Sequence, residues 1–154
     1  MEIALITNNL LKTSNTKLFV ETIYDNFKNL GDIKKLNHNK KEIERILKSN
    51  NSFVLFIMKN KQIIAYLIAE KILLADGREV LYIYYLFTSP HFRNMGLAST
   101  LLDTAKQISN KHNCTGIMLT CDTDNTKVHN FYLKKGFMPD MLMRTYNKYD
   151  VLYL

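Results

Sequence analysis

The sequence is poor in the residues that staple or punctuate a chain: 154 residues hold two cysteines, two prolines and five glycines. Cys114 and Cys121 lie seven residues apart, with no CxxC pair and no histidine cluster beside them, so neither a disulfide framework nor a zinc site is indicated. Both thiols read as small apolar side chains that stay reduced. No apolar run approaches the roughly 20 residues that a bilayer-spanning helix requires. The opening MEIALITNNLLK lacks a basic n-region, and its apolar run is too short for a cleavable signal peptide. Blocks of like charge are missing too. The net charge is +7, yet the 21 basic residues are scattered in ones and twos, as in Lys34-Lys35, Lys40-Lys41 and Lys134-Lys135. These absences exclude an integral membrane protein, a disulfide-stapled miniprotein and a nucleic-acid tail. The expectation is a soluble, cytoplasmic chain.

Hydrophobic residues at 47% and charged residues at 23% are ordinary for a globular protein, and the length suits one domain spanning 1–154. No repeat or Pro/Gly-rich linker divides it. Glu2–Ile6 reads as a short strand. From Ser14 to Gly31 the spacing of Leu18, Ile23, Phe27 and Leu30 predicts a helix, and Lys40–Lys48 predicts a shorter one. Strands come next at Phe53–Met58, Gln62–Leu74 and Val80–Thr88, the last two joined by the hairpin signal Asp76-Gly77. The third of these, V-L-Y-I-Y-Y-L-F-T, is apolar or aromatic almost throughout, as expected of a central strand covered on both faces. A helix at Gly96–Lys111, a strand at Ile117–Cys121, a helix at Thr126–Lys135 and strands around Leu142–Tyr146 and Val151–Leu154 complete an α/β (α+β) pattern. The predicted architecture is a mixed sheet of six to seven strands with about four helices. Its N-terminal part is antiparallel, and a β-α-β crossover sits in the middle.

Two stretches carry chemistry. In Thr88-Ser-Pro-His-Phe-Arg93-Asn94-Met95-Gly96-Leu97-Ala98, a strand end passes through a short loop into a helix. Backbone N–H groups in such a loop, with the positive end of the helix dipole, form an anion cradle. Gly96 removes a Cβ from the approach, and Arg93 adds a cation. From spacing alone, an ordinary strand–helix turn remains an equal alternative. The second stretch is Asn125-x-x-Val128-x-x-Phe131-Tyr132-x-x-x-Gly136-Phe137, on the next predicted helix.

Together, in this order, these stretches resemble the GCN5-related N-acetyltransferase (GNAT) superfamily. Arg93-Asn94-Met95-Gly96-Leu97-Ala98 matches the family's Q/R-x-x-G-x-G/A loop. Asn125, Tyr132, Gly136 and Phe137 match its later helix, with Val128 in place of the usual Ala. The resemblance covers about Phe53 to Leu154. It implies a bulged strand ending at Leu86-Phe87-Thr88, splayed from Ile117–Cys121, with acetyl-CoA as cosubstrate in the gap and no metal. It further implies that the backbone from Asn94 through Met95, Gly96 and Leu97 to Ala98, with Ser99 and Arg93, holds the pyrophosphate. Asn125 would contact the donor near its pantetheine end, and Tyr132 would serve as general acid toward the leaving thiolate.

The base that takes the amine's proton is not readable. Glu70, Glu79, Asp122 and His129 are near in sequence, but each reads as an ordinary surface group. His91 reads as solvent-facing. By strand alternation Tyr82 and Tyr84 share one face, while Tyr85 lies on the other with Ile83. These aromatics are core, or one pair lines an acceptor pocket suited to an apolar or aromatic-bearing amine. The partners implied are acetyl-CoA and an amine of unspecified identity, with no nucleic acid and no membrane. Phe137–Tyr149, with Met138, Met141 and Met143, is open to pocket shaping or homodimer pairing, core filling being the alternative. A basic nucleic-acid-binding module, or a CoA-binding domain without catalysis, is the competing reading.

Overall fold

The computed structural model describes residues 2–7, 16–28, 38–122, 125–140 and 149–154. In chain order its elements are β1 (Glu2–Thr7), α1 (Thr16–Phe27), α2 (Lys40–Lys48), β2 (Ser52–Lys59), β3 (Gln62–Leu73), β4 (Glu79–Thr88) and a 3₁₀ turn (Pro90–Phe92). After it come α3 (Leu97–Lys111), β5 (Gly116–Asp122), α4 (Thr126–Lys134), β6 (Met138–Pro139) and β7 (Tyr149–Tyr153). The strands make a seven-stranded sheet in the order β1-β2-β3-β4-β5-β7-β6. Every pairing is antiparallel except β4–β5, which α3 connects as a crossover. Among the described residues, no helix is long and apolar enough to cross a membrane.

Helices cover both faces, which is why β4, fourth of seven, is apolar or aromatic from Val80 to Phe87. On one face Leu101, Leu102, Ala105 and Ile108 of α3 pack with Leu67, Leu81, Ile83, Leu119, Tyr132 and Phe137. On the other, Val20 and Ile23 of α1 and Ile43, Ile46 and Leu47 of α2 pack on Val54, Phe56, Tyr66, Ile68 and Tyr85. Local chemistry sets the helix ends. Asn39 caps α2 by accepting the Glu42 N–H at 2.9 Å, and Arg45 and Lys48 occupy the negative end of its dipole.

Several expectations shift. Leu18, expected on the buried stripe of α1, is 65% exposed, while Val20, Ile23 and Phe27 turn inward. Five residues at 100° each place Leu18 about 140° from Ile23, so it cannot share that stripe. The strand expected around Leu142–Tyr146 lies outside the described residues, as do Met141 and Met143. Among the described residues, the short strand β6 lies beside β7 at the end of the sheet, where Pro139 is tolerated because an edge position needs no N–H on its outer side.

A larger correction concerns β4. Ile68 opposes Tyr85 and the next residue, Ala69, opposes Ile83, so Tyr84 is an extra residue, a β-bulge. The bulge resets alternation. Tyr85 therefore does not share a face with Ile83: it joins the α1/α2 layer together with Tyr84 and Phe87, while Ile83 and Leu86 stay on the α3 side. Tyr82, whose ring lies 5.0 Å from that of Tyr84, is on the α1/α2 side as well.

An ion pair fastens α2 to the sheet. Arg45 donates to both oxygens of Glu70 on β3, at 3.3 and 3.2 Å, and Tyr84 donates to the same carboxylate at 3.1 Å. Glu70 is thus buried, at 6% exposure, where its charge alone predicts a surface group. Burial pushes its carboxyl up; hydrogen bonds from Ser49 and Arg45, the Arg45 charge and the Tyr84 hydroxyl outweigh that and hold it below its ordinary value. A group depressed in the folded state stabilises fully above its unfolded value near 4.5, and that stability is lost as pH falls through the lower folded value. Glu70→Gln is therefore expected to lower stability in urea unfolding at pH 7. The gap to the wild type should close as the pH is taken below about 4; a gap independent of pH would refute the assignment.

Candidate active site

The sheet opens at its centre. β4 and β5 pair only through Val80–Gly116, Leu81–Ile117 and Tyr82–Met118. Beyond Tyr82, β4 continues to Thr88 with β3 alone as its partner, while β5 continues to Asp122 with β7 alone. Two strands that diverge while still extended leave facing N–H and C=O groups that another extended chain can use. The Tyr82 hydroxyl and Thr120 Oγ1 hydrogen-bond across this opening on the α1/α2 face.

At the end of β4 the chain turns back into α3. Arg93 ties the turn down through Nε to the Thr88 carbonyl at 3.1 Å. Asn94 and Gly96 both take positive φ, 61° and 78°, and Gly96 is the residue from which α3 starts. No atom lies within 4 Å of where a Gly96 Cβ would stand, so the space above the turn is open. The first turn-closing bond is Thr100 N–H to Gly96 C=O at 3.0 Å, and the backbone N–H groups from Asn94 through Ser99 have no backbone acceptor among the described residues. These donors lie beside the positive end of the α3 dipole, a combination that favours an anion. Arg93, Asn94, Met95 and Gly96 are exposed, Ala98 and Ser99 are half-buried, and Leu97 anchors the turn in the core.

The structure brings Leu86, Leu97 and Tyr132 into one apolar layer on the α3 side. Phe87 is placed apart from them, with its ring 5.2 Å from Tyr66 and 6.0 Å from Phe27 on the opposite face. Thr88 is half-buried at the strand end, opposite Ala65. Asn125 caps α4, accepting the Val128 N–H at 3.4 Å, a local structural use that the motif does not reveal.

Tyr132 sits on α4 against Phe131 and Phe137, with edge-on ring contacts at 5.4 and 5.5 Å. Gly136, with φ of 97°, ends the helix, and the Phe137 N–H returns to the Tyr132 carbonyl at 3.1 Å. Burial, helped by the neighbouring Cys121 thiol, pushes the Tyr132 phenol well above its ordinary range. At neutral pH it is therefore an O–H donor.

Across the sheet lies a second group, which includes a residue that the sequence does not single out. His38, buried just before the Asn39 cap, places Nδ1 2.8 Å from the Tyr85 hydroxyl. Its one sequence signal is that position ahead of a helix cap, where side chains pack inward. Of the other candidates, Glu79 is a surface partner of Lys71 at 2.9 Å, His91 is exposed and His129 is half-buried on α4. Asp122 falls where side chains are outside the described residues. Among the described residues, no cluster of three or more His, Cys, Asp or Glu is arranged to hold a metal.

The comparisons agree with this geometry. The family profile of the acetyltransferase (GNAT) family matches residues 16–137. Searching curated protein sequences gives no match. Among solved structures, a GNAT-family acetyltransferase from Desulfovibrio desulfuricans superposes with a TM-score of 0.73 at 10% identity, covering 99% of this chain and 98% of its own. AAC(6')-Iy, solved with the bisubstrate analogue CoA-S-monomethyl-acetylneamine, gives 0.68 at 17% identity over 96% and 97% of the two chains. An aminoglycoside acetyltransferase from an uncultured soil metagenomic sample, solved with sisomicin, gives 0.67 at 14% identity over 95% and 94%. At these identities the likeness is one of fold, and it extends over nearly the whole of each chain. With residues 16–137, most of the chain, matched by the profile, the chain belongs to the acetyltransferase (GNAT) family and is an N-acetyltransferase.

Proposed function

We propose that residues 1–154 form a single acetyltransferase domain that moves the acetyl group of acetyl-CoA to a primary amine with an apolar or aromatic body, by direct attack in a ternary complex. The observation that carries this reading is the parting of β4 from β5 after Tyr82, with the N–H groups of Asn94–Ser99, which have no backbone acceptor among the described residues, at the end of β4. The residues present fit the donor. The N–H groups from Asn94 to Ser99, with Arg93 beside them, suit its pyrophosphate. The open edge of β4 at Leu86, Phe87 and Thr88 suits its pantetheine amides, with Asn125 near that end. Acetyl-CoA supplies the thioester carbonyl and the thiolate leaving group. What the chain adds is position and protons: unpaired β4 N–H groups stand ready to receive the oxyanion, and Tyr132 donates its phenolic proton to the departing sulfur.

The acceptor class is argued from the α1/α2 face. The cofactor end of the site lies on the α3 side, so the amine approaches from the other face, which presents Tyr82, Tyr84, Tyr85, Phe87, Phe27 and Tyr66. Among the described residues there, the acids of α1, α2 and β3 are matched with cations: Glu21 with Lys40, Asp25 with Lys28, Glu44 with Lys48, and Glu42 and Glu70 with Arg45. Polycationic aminoglycosides, such as those named for two of the structural relatives, need unmatched acids, whereas aromatic rings favour a single ammonium on an apolar body.

An acetyl-CoA turnover screen read by thiol release tests the acceptor. Arylalkylamines are expected to exceed aminoglycosides in kcat/KM by about tenfold or more, equivalent to ~1.4 kcal/mol in transition-state binding; the reverse order would overturn the acceptor class. Tyr132→Phe should lower kcat about 10²-fold while leaving the KM for acetyl-CoA nearly unchanged, the mark of a proton donor used only in the transition state. Gly96→Ala meets no protein atom yet must hold positive φ. It should cost about 1–2 kcal/mol in unfolding and raise the KM for acetyl-CoA, with kcat little affected.

A further inference from the structure

We propose that Tyr85 and His38 form the acceptor-side proton path: the Tyr85 hydroxyl meets the incoming ammonium and passes a proton to His38 Nδ1. The inference rests on the amine-acceptor reading above and assigns the base that the sequence leaves open. Both residues are buried, and the Tyr85 hydroxyl lies 2.8 Å from His38 Nδ1. His38 Nε2 faces the Tyr24 carbonyl oxygen at 3.4 Å. A carbonyl can only accept, so its partner chemistry assigns the proton to Nε2 and leaves Nδ1 as the lone pair toward which Tyr85 donates. Once Nδ1 gains a proton, both ring nitrogens donate, one to Tyr24 and one to Tyr85. No group need move and no donor is orphaned.

The pair is placed where the proton must leave. Tyr85 comes directly after the bulge, in the part of β4 that has β3 but not β5 beside it, and its ring is on the face away from α3. A donor held by the α3 turn leaves this face to the attacking amine. The alternative acid on the same face, Glu70, is held as a carboxylate by Arg45, Ser49 and Tyr84 and is thus a poorer proton acceptor.

Among the described residues, the groups around the pair come from α1, α2, β3 and β4. From α1, Tyr24 stacks on the imidazole at 5.4 Å and Phe27 meets it edge-on at 6.1 Å. From α2, Lys40 lies over the Tyr24 ring at 5.1 Å while paired with Glu21 of α1 at 2.9 Å, and Asp25 of α1 also acts on Lys40. Burial first, then Tyr66 of β3, Glu42 of α2 and Tyr84 of β4, push the Tyr85 phenol well above its ordinary range. Tyr85 therefore relays a proton and does not keep a charge.

The step balances. One ammonium N–H bond breaks and leaves its electron pair on nitrogen; Tyr85 Oη takes that proton as its own moves to His38 Nδ1; His38 carries the positive charge and returns the proton to water after the amide leaves. The resulting neutral amine forms the C–N bond as the C–S bond breaks; the departing thiolate takes the Tyr132 proton, and the second proton, shed by the acylated nitrogen, restores the Tyr132 phenol.

The test compares two acceptors on the wild-type protein, phenylethylamine and its 2,2-difluoro analogue, whose ammonium is more acidic. The pH dependence of kcat/KM is measured with saturating acetyl-CoA. The expected result is an acidic limb at the same pH for both amines, because the limb belongs to the protein. A limb that moves with the acidity of the amine would show that the protein takes no proton there, and would overturn the proposal while leaving the acetyltransferase reading intact. If neither amine is acetylated, the acceptor reading itself fails and the proposal goes with it. His38→Gln and Tyr85→Phe, checked for unchanged melting, should each lose about 10²-fold in kcat/KM at pH 7 and recover toward the wild type above the pKa of the ammonium. A loss that persists at alkaline pH would mark a packing role and also overturn it.

Discussion

The parting of β4 from β5 is the constraint on which the rest of the molecule depends. A strand that leaves its neighbour gives up ladder bonds and exposes backbone groups that must find other partners. Here the loss is confined: three residue pairs hold the root of the opening, and the Tyr82–Thr120 hydrogen bond stands just beyond them. The bulge at Tyr84 supports the departure, since an extra residue increases local twist and re-aims the side chains beyond it. The freed edges remain open because large, firmly packed elements lie behind them. β3 pairs the far side of β4 along most of its length, and β7 pairs the far side of β5.

The same parting gives the site two sides with different chemistry. Behind the gap on the α3 side are backbone donors, a helix dipole and a buried phenol, all suited to negative charge that is bound or that develops. On the α1/α2 side are aromatic rings, an imidazole and carboxylates already neutralised by cations. The bulge decides this second surface. With regular alternation through Tyr84 in place of the bulge, Tyr85 would face α3 beside Ile83; the bulge keeps it on the side of His38. The bulge thus decides which rings line the α1/α2 side of the opening.

Legibility in the sequence divides along physical lines. The central strand, the α3 stripe, the Asp76-Gly77 hairpin and the Gly96 turn are readable because local rules govern them: burial on two faces, helical periodicity and backbone permissiveness at positive φ. The loop and the Asn125–Phe137 helix are readable as a constellation, and the family they point to is the one whose profile matches residues 16–137. The bulge is not readable, since nothing in Y-I-Y-Y-L marks which residue is extra; register belongs to the partner strand and not to the run itself. Leu18 is misplaced by apolarity alone, because its interval to Ile23 is five residues where a shared stripe needs three or four. Glu70 and His38 escape for one reason. Each is a polar side chain whose burial is compensated by partners 25 and 47 residues away, Arg45 and Tyr85, and no local pattern reports a long-range partner.

Charge completes the division of labour. The chain carries +7 overall, and its donor substrate is a polyanion, so the excess raises the local concentration of donor at no cost in specificity. That same field repels a cationic acceptor. An enzyme of this sign must take up its amine through something other than bulk electrostatics, and the ion-paired acids of α1, α2 and β3 offer no counter-field. On the proposed reading, desolvated rings take that role instead: they would bind an apolar body by burying its area and hold one ammonium against their faces, next to the Tyr85 phenol. Selection for the acceptor and its deprotonation would then fall to the same few side chains, which the bulge in β4 gathers on one side of the sheet.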